Sequence, residues 1–422
     1  MTSRCHRVRV ATGQRVGCRA RRRRSAAAGV VPTRERTVMP ARTPSRRARY
    51  DRWFAAPQTV VVQPTTWCNL DCRYCYLPFR KLRRQMRPEV AVALATSITQ
   101  LTADGGPPIG IVWHGGEPLA IGTHRFRALL TPFEDLRRTG RVRHYVQTNA
   151  TLVTRSWCEL LATYDVRVGV SIDGPAPTNN DRIDLRGKPA FDRILRGIRH
   201  LREHDIPFSA ISVVTAESIT RPEELLQFLA ELGCQSAGFN VEEVEGVNTG
   251  RQTPTPEQAE DFWRRTLIWS RSNHDRLRVR ELERLAEYLH LIRSGQRAVW
   301  NERRLDPIPT VSVAGDVVLL SPEFADTTDA AYDDFRVGNV LHESLADLME
   351  GAHRVGYVRD FLTGLDRCRT ECDLFDFCRG AQAANRYFEN GSLRSTETNY
   401  CRVSRQALVT ALSTLATTEN AA

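Results

Sequence analysis

The sequence predicts an α/β fold: a partial (β/α)6 barrel followed by a small cysteine-rich extension. From about residue 57, short β-branched runs alternate with longer helical patterns, as parallel strands joined by crossover helices require. Seven of the eleven cysteines fall into two tight groups, one after the first strand and one near the C-terminus. A chain of 422 residues is long enough for one large domain and a smaller one, since domains usually hold about 100–250 residues.

Six β/α units follow one another along the chain, and right-handed crossovers would close them into a full or partial barrel. Loops after the strand C-termini would then form the active face. The predicted strands are Thr59–Gln63, Ile109–Trp113, His144–Thr148, Arg167–Ile172, Phe208–Val214 and Ala237–Val241. The predicted helices are Pro88–Ala103, Arg125–Arg138, Thr154–Tyr164, Phe191–His204 and Pro222–Leu232.

A helical region at about 256–294 and a short strand pair at about 310–320, turning at Gly315-Asp316, precede the cysteine-rich end. We therefore expect four segments. These are an Arg-rich disordered tail at 1–50, the barrel at 51–250, a helical connection at 251–305 and the cysteine-rich domain at 306–422.

The positive charge of the chain lies almost entirely in its first 50 residues. They contain 15 Arg and a single acidic residue, Glu35, and so carry +14 against a formal net charge of +11 for the whole chain. Residues 51–422 are then at about −3, so the folded body has no basic character that would attract nucleic acid. We expect no nucleic-acid partner.

The chain contains no apolar stretch near the roughly 20 residues that span a bilayer, so we expect no membrane segment. The apolar patch at 26–31 is shorter than the 7–15 residues of a signal-peptide core. These observations predict a cytoplasmic protein. Translation could begin at Met39.

The first cysteine group, Cys68, Cys72 and Cys75, has C-x3-C-x2-C spacing and follows the first predicted strand. A [4Fe-4S] cluster held by four thiolates is complete at every iron. Three thiolates therefore leave one iron open to bind a substrate or cofactor directly. The alternative is a structural zinc site, which needs a fourth Cys or His nearby, and the sequence offers no evident partner.

The spacing, with aromatic Tyr74 before the last cysteine, resembles the radical S-adenosylmethionine (SAM) superfamily. Its second signature, a Gly-Gly-Glu-Pro turn after strand two, stands here as Gly115, Gly116, Glu117 and Pro118. The resemblance implies a [4Fe-4S] cluster on the three cysteines and SAM as second cofactor, its amino group gripped by the glycine turn.

Two further segments resemble the peptide-modifying branch of that superfamily. Gln147-Thr148-Asn149 ends strand three, and Ser171 to Pro175 ends strand four, with Arg182 downstream. The resemblance implies that Ser171 and Arg182 contact the ribose or carboxylate of SAM. Ordinary loop chemistry at strand ends is the alternative for both.

The second cysteine group comprises Cys368, Cys372, Cys378 and Cys401, and four thiolates suffice for one complete cluster. It resembles the SPASM extension of radical SAM peptide maturases, which usually holds two auxiliary [4Fe-4S] clusters. Counterparts of the outer-cluster ligands are all present, whereas Ser321 and the region of Gln382 stand where inner-cluster cysteines would be. We expect one auxiliary [4Fe-4S] cluster, with zinc as the alternative.

The resemblance implies an enzyme that forms a carbon cross-link, a cyclophane, in a ribosomally made precursor peptide. It would need a low-potential electron donor of the ferredoxin or flavodoxin type. Alternatives on the same scaffold are a thioether cross-link or formylglycine formation in a sulfatase. A non-catalytic zinc-binding interaction protein is a further alternative from another class.

The sequence identifies no catalytic residue. We expect His114 to be packed and hydrogen-bonded, and Cys158 and Cys234 to be buried inert thiols. We expect Glu242, Glu243 and Glu245, which follow strand six, to be solvated loop acids and not proton acceptors.

Overall fold

The computed structural model describes residues 45–380 and 382–421. They contain one ten-stranded sheet, in the spatial order β10-β9-β8-β1-β2-β3-β4-β5-β6-β7. The strands are β1 Thr59–Val62, β2 Ile109–Trp113, β3 Val142–Thr148, β4 Arg167–Ser171, β5 Phe208–Val214, β6 Ser236–Val241, β7 Arg278–Val279, β8 Thr310–Val311, β9 Asp316–Val318 and β10 Gly338–Asn339.

Strands β1 to β6 pair in sequence order and in parallel, which confirms the predicted partial barrel. Each is joined to the next by a segment that contains helix. In β5 alternate residues are fully buried, so one face of the strand packs under the helices and the other faces the barrel interior. All six strands therefore direct their C-terminal ends to one edge, where loops can share a site.

Helices precede, connect and follow these strands. They are α1 Arg46–Trp53, α2 Pro88–Leu101, α3 Thr123–Leu130, α4 Glu134–Arg138, α5 Arg155–Thr163, α6 Phe191–Glu203, α7 Pro222–Leu232, α8 Pro256–Arg271, α9 Arg280–Arg293, α10 Arg297–Asn301, α11 Leu345–Gly351, α12 Gly356–Glu371, α13 Phe375–Cys378, α14 Ala383–Asn390 and α15 Ala407–Ala421.

The predicted helix Arg125–Arg138 is broken in the structure. Helix α3 ends at Leu130, a 3-10 turn spans Thr131–Phe133, and α4 begins at Glu134. Pro132 lies at the break, where it cannot donate the backbone hydrogen bond that a continuous helix needs. Phe133 is fully buried, in edge contact with Trp113 of β2, so the interruption also packs a ring against the sheet.

The last three strands extend the same sheet beyond β1. Strand β8 pairs with β1 in parallel, and β9 and β10 continue antiparallel from it. The segment expected to form a separate cysteine-rich domain thus begins as an edge of the barrel sheet, and the domain limits stay predictions. Most of the predicted disordered tail lies outside the described residues, while residues 46–50 start helix α1.

None of the helices in the described residues has the length and apolarity needed to cross a lipid bilayer.

Candidate functional site

A cavity of about 460 Å³ opens at the C-terminal ends of the parallel strands. A larger cavity, of about 710 Å³, lies at the other end of the strands, away from every cysteine of the two groups. The wall of the smaller cavity lacks two of the predicted cofactor-binding residues, Gly115 and Pro118. Its wall includes the predicted residues Cys68, Cys72, Tyr74, Cys75, Gly116, Glu117, Ser171 and Arg182.

The three thiols of the first group are unpaired and border this cavity together. Burial raises the pKa of Cys72 to about 12, and it raises the pKa of Cys68 and Cys75 as well. Without metal they are therefore protonated, and binding iron must release these protons. The Leu70 amide points at Cys68 Sγ, 3.4 Å away, as N–H groups do around cluster sulfurs.

This donor set fits an iron–sulfur cluster with an open corner: three thiols face one cavity, with no fourth cysteine among its lining residues. In residues 45–380 and 382–421 no three His, Cys, Asp or Glu side chains are grouped tightly enough to hold a single metal ion. The thiols border a shared space and do not converge on one point.

The glycine turn is packed directly against the cysteine loop. Gly115 and Gly116 have φ of +96° and +58°, which favours glycine. A Cβ atom on Gly116 would lie 2.5 Å from the carbonyl oxygen of Trp67 and 2.8 Å from that of Thr65. The Glu117 amide also donates to the Trp67 carbonyl oxygen, at 2.9 Å. The two sequence signatures thus hold each other in place.

The Glu117 carboxylate is buried and binds the protein itself. It accepts hydrogen bonds from Thr148 Oγ1 at 2.6 Å and from the amides of Asn149 and Leu119 at 2.8 and 3.1 Å. Burial raises its pKa to about 7, although these three donors oppose the shift. Its carboxylate therefore fixes the end of strand β3 beside the glycine turn.

Asp173 is the centre of a buried hydrogen-bond network. The sequence did not predict this role for it. Its carboxylate accepts from Arg182 Nη2 at 2.8 Å and from the Val213 amide at 2.9 Å. It also accepts from the Tyr74 hydroxyl. Arg182 in turn lies over the Tyr74 ring, 5.5 Å from its centroid, and its Nε has no partner. The network ties the cysteine loop to strands β4 and β5.

Ser171 Oγ, at the end of β4, accepts from Gln147 Nε2 of β3 at 2.8 Å and lines the cavity. Ser171 and Arg182 both lie in the cavity wall. Their contacts with SAM stay predictions.

The acids after strand six are not solvated loop residues, so that expectation was wrong. Glu242 and Glu245 are 2% and 8% exposed, and Glu243 joins them in the cavity wall together with Glu323. Burial raises the pKa of Glu243 to about 7 and raises those of Glu245 and Glu323. Helix α14, far along the chain, contacts two of these acids, Glu243 and Glu245.

Asn385 of α14 makes this contact. Its Nδ2 donates to Glu243 Oε2 at 2.6 Å and to Glu245 Oε1 at 3.1 Å, and the side chain is fully buried. The C-terminal region thus reaches the wall of the cavity through a hydrogen bond to each of two carboxylates.

His114 is packed and hydrogen-bonded to the Tyr76 hydroxyl at 3.1 Å, as expected, and burial lowers its pKa to about 4. It also lines the cavity, as a neutral imidazole. Cys158 and Cys234 are both buried away from the two cysteine groups.

The second group also comes together. Cys368 near the end of α12, Cys372 just after it, Cys378 at the end of α13 and Cys401 at the start of a π-helical turn line one small cavity. Cys368 and Cys401 are buried, and no disulfide joins the four thiols. The donor set therefore fits one cluster with four protein ligands.

Comparisons with known proteins agree with this geometry. Residues 62–229 match the family profile of the radical SAM superfamily. A Synechocystis sp. protein that is itself uncharacterized is 32% identical over 368 residues, covering 83% of this chain and 89% of the relative. A serine-type anaerobic sulfatase-maturating enzyme of Bacteroides thetaiotaomicron is 24% identical over 351 residues, covering 79% of this chain and 84% of that enzyme.

Two solved structures show the same fold. The anSMEcpe protein with bound AdoMet (SAM) superimposes with a TM-score of 0.67 at 20% identity, covering 86% of this chain and 98% of that one. Streptococcus suis SuiB bound to the precursor peptide SuiA gives 0.57 at 16% identity, covering 83% and 76%. The profile match, together with the identity to the Synechocystis protein over most of both chains, shows that this chain belongs to the radical SAM superfamily, whose members are enzymes that use a [4Fe-4S] cluster and SAM.

Proposed function

We propose that this chain is a radical SAM peptide maturase that forms a carbon cross-link, a cyclophane, in a ribosomally made precursor peptide. Cys68, Cys72 and Cys75 hold the cluster that binds SAM. When bound, the two cofactors supply a one-electron cleavage of SAM to a 5′-deoxyadenosyl radical, which removes a hydrogen atom from an unactivated C–H bond.

A single observation carries the radical SAM chemistry of this proposal: one cavity collects the three thiols, Gly116 and Glu117 of the glycine turn, and residues from the ends of strands β2 to β6. Two polar residues of its wall already have partners: Glu117 accepts from Thr148, and Arg182 donates to Asp173. Such a preorganised cavity holds substrate and cofactor in one orientation and excludes water from the reaction.

The peptide substrate is supported by two relatives with peptide or protein substrates in their names or titles. SuiB was solved with its precursor peptide, and the Bacteroides enzyme matures sulfatases. The carbon cross-link rests on the reduced cysteine set, with four cysteines in the C-terminal group and Tyr400 before the last one. This set resembles cyclophane-forming maturases.

The buried carboxylates give the reaction a proton acceptor. Forming a carbon–carbon bond between two side chains removes two hydrogens, one as the abstracted atom and the other as a proton and an electron. Glu243 and Glu245 line the cavity, and the pKa of Glu243 lies near 7. A carboxylate with that pKa can take up a proton at neutral pH. We assign this role to the Glu243–Glu245 pair.

In the second group, Cys368, Cys372, Cys378 and Cys401 would hold one auxiliary [4Fe-4S] cluster, which supplies a site for one-electron oxidation or reduction. We propose a ferredoxin- or flavodoxin-type protein as the low-potential electron donor.

Formylglycine formation in a sulfatase is the second candidate, favoured by the 24% identity to the Bacteroides enzyme over most of its length. A thioether cross-link in a peptide is a variant of the first candidate. All of these products begin with removal of a hydrogen atom by the same radical. The cavity alone therefore does not distinguish between these products.

Mass spectrometry after anaerobic co-expression with short peptides encoded beside the gene separates them. A cyclophane removes two hydrogens, leaves every cysteine thiol open to alkylation and blocks fragmentation between the joined residues. A thioether removes two hydrogens and one alkylable thiol, whereas formylglycine reacts with a hydrazide probe. The matched control carries Cys68→Ala, Cys72→Ala and Cys75→Ala and should leave every peptide unchanged. Unchanged peptides with the intact enzyme, and an aldehyde in a co-expressed sulfatase, would refute the cross-link.

A further inference from the structure

Arg386 of helix α14 is a fully buried cation beside the second cysteine group. Its Nη2 lies 3.2 Å from Cys368 Sγ, and its Nε and Nη1 have no hydrogen-bond partner. Among the described residues no carboxylate forms an ion pair with it. Burying an unpaired charge is strongly unfavourable, so the site needs a negative group to balance this guanidinium.

The fold makes room for Arg386 at some cost. Gly364 lies inside helix α12, where glycine is less favourable than alanine. A Cβ atom there would collide with Arg386 Nη1 and would lie 2.6 Å from the Leu393 carbonyl oxygen. The guanidinium also stacks over Phe361, 5.0 Å from the ring centroid. Arg386 is thus held in a shaped slot that directs it at the thiols.

Two more arginines converge on the same group. Arg405 lines the four-cysteine cavity and donates to the Tyr400 hydroxyl at 2.8 Å. Arg284 donates to the carbonyl oxygen of Cys378 at 3.1 Å, and its Nε has no partner. Neither forms a salt bridge with a carboxylate of the described chain. The second group is therefore bordered by three arginines, while the carboxylates of Asp373 and Glu397 act on Cys372.

We propose that Arg386, assisted by Arg405 and Arg284, is the counter-charge of the four-thiolate cluster and raises its reduction potential. This inference rests on the proposed auxiliary cluster. Thiolates around a cluster carry net negative charge, and reduction adds one more. A nearby fixed positive charge and an N–H donor to a ligand sulfur both favour the reduced form, because charge and sulfur hydrogen bonds set cluster potentials.

The test uses a background with Cys68→Ala, Cys72→Ala and Cys75→Ala, so that only the second group can hold a cluster. Anaerobic redox titration followed by electron paramagnetic resonance then gives the midpoint potential. With Arg386→Met we expect at least a tenfold fall in the reduced-to-oxidised ratio at a fixed potential, which is about 59 mV for one electron. Arg386→Lys, which keeps the charge, should recover part of that shift.

Arg367→Gln is the matched control. Arg367 precedes Cys368 on the same helix, but its side chain is 50% exposed and paired with Glu371, so its removal should leave the potential unchanged. If Arg386→Met fails to fold by circular dichroism, Arg405→Gln provides the second variant, with a smaller shift in the same direction.

The outcomes separate the inference from the proposal beneath it. A cluster with the same potential in wild type and Arg386→Met, or a shift in Arg367→Gln as large as that in Arg386→Met, refutes the role of Arg386 and leaves the auxiliary cluster standing. Zinc, or no metal, in the background protein refutes the auxiliary cluster itself.

Discussion

Replacing Gly116 with alanine tests whether the glycine turn and the cysteine loop support each other. At φ of +58° a residue with a Cβ atom costs about 1–2 kcal/mol. The new Cβ would also lie within 2.5–2.8 Å of backbone atoms of Thr65, Thr66 and Trp67, which cannot rotate away. Overpacking of this kind adds about 1–3 kcal/mol, so we expect a total destabilisation of about 2–5 kcal/mol.

Gly391→Ala is the matched control because Gly391 has a similar φ of +64° with no atom within 4 Å of the added Cβ. It should show the conformational cost of about 1–2 kcal/mol alone. Thermal unfolding of the metal-free proteins, followed by circular dichroism, measures both. For domains of 150–250 residues 1 kcal/mol shifts Tm by about 2–4 °C, so the two variants should differ by several degrees.

The same substitution should reduce iron binding at the first cysteine group, because the displaced backbone carries Trp67, the neighbour of Cys68. Iron content after anaerobic reconstitution gives this second measurement. If Gly116→Ala is no less stable than Gly391→Ala and binds as much iron, the two signatures do not depend on each other and our interpretation of the turn is wrong.

Four further predictions concern the cavity and the clusters. Glu243→Gln should slow product formation and remove a rise in rate with pH centred near 7, since only the ionised carboxylate accepts a proton. The control Glu224→Gln, at an exposed residue, should change neither the rate nor its pH dependence. An unaltered pH profile in Glu243→Gln would exclude this carboxylate as the proton acceptor. Because the folded pKa of Glu243 is raised from 4.5 to about 7, its contribution to the stability of the metal-free protein is full below about pH 4.5 and is lost as pH rises through 7. The difference in unfolding free energy between wild type and Glu243→Gln, from urea unfolding at pH 5 and at pH 8, measures this contribution. An equal difference at the two pH values would contradict the burial of Glu243. Asp173→Asn should cost about 3–5 kcal/mol by stranding buried Arg182 and weaken SAM binding in calorimetry. The control Glu159→Gln, which breaks an exposed ion pair, should cost under about 1 kcal/mol. Equal losses of stability in the two variants would refute the network around Asp173. Reconstituted wild type should bind about eight irons per chain and the Cys68, Cys72 and Cys75 alanine variant about four, as two cubanes require; four in wild type would leave one group without a cluster.

The barrel could be predicted because its strands are short β-branched runs such as Thr59–Val62, separated by amphipathic helices. The residues of the cavity wall were identified from local motifs, since Cys68 to Cys75 and Gly115 to Glu117 are contiguous in sequence. These motifs follow different strands. They meet because the parallel sheet brings the C-terminal ends of its strands to one edge.

Features that depend on distant segments could not be predicted in this way. Glu243 accepts a hydrogen bond from Asn385, 142 residues later, and a loop acid carries no local sign of such a partner. Arg386 occupies an ordinary helical position, and only Gly364, in another helix, reveals the slot that holds it. Asp173 stood in a recognised segment, but its three hydrogen bonds arise from residues of three different elements.

The pairing of β1 with β8 has a consequence for synthesis of the chain. Strand β1 is flanked by β2 on one side, and on the other the amides of Val61 and Gln63 donate to the carbonyl oxygens of Pro309 and Val311. The ribosome makes these partners about 250 residues after β1, which at roughly 5–20 residues per second takes about 12–50 s. Throughout that interval the nascent barrel presents an apolar strand with open backbone groups to the cell, the kind of edge that invites aggregation. Efficient production of this enzyme therefore depends on shielding that edge until translation has passed residue 311.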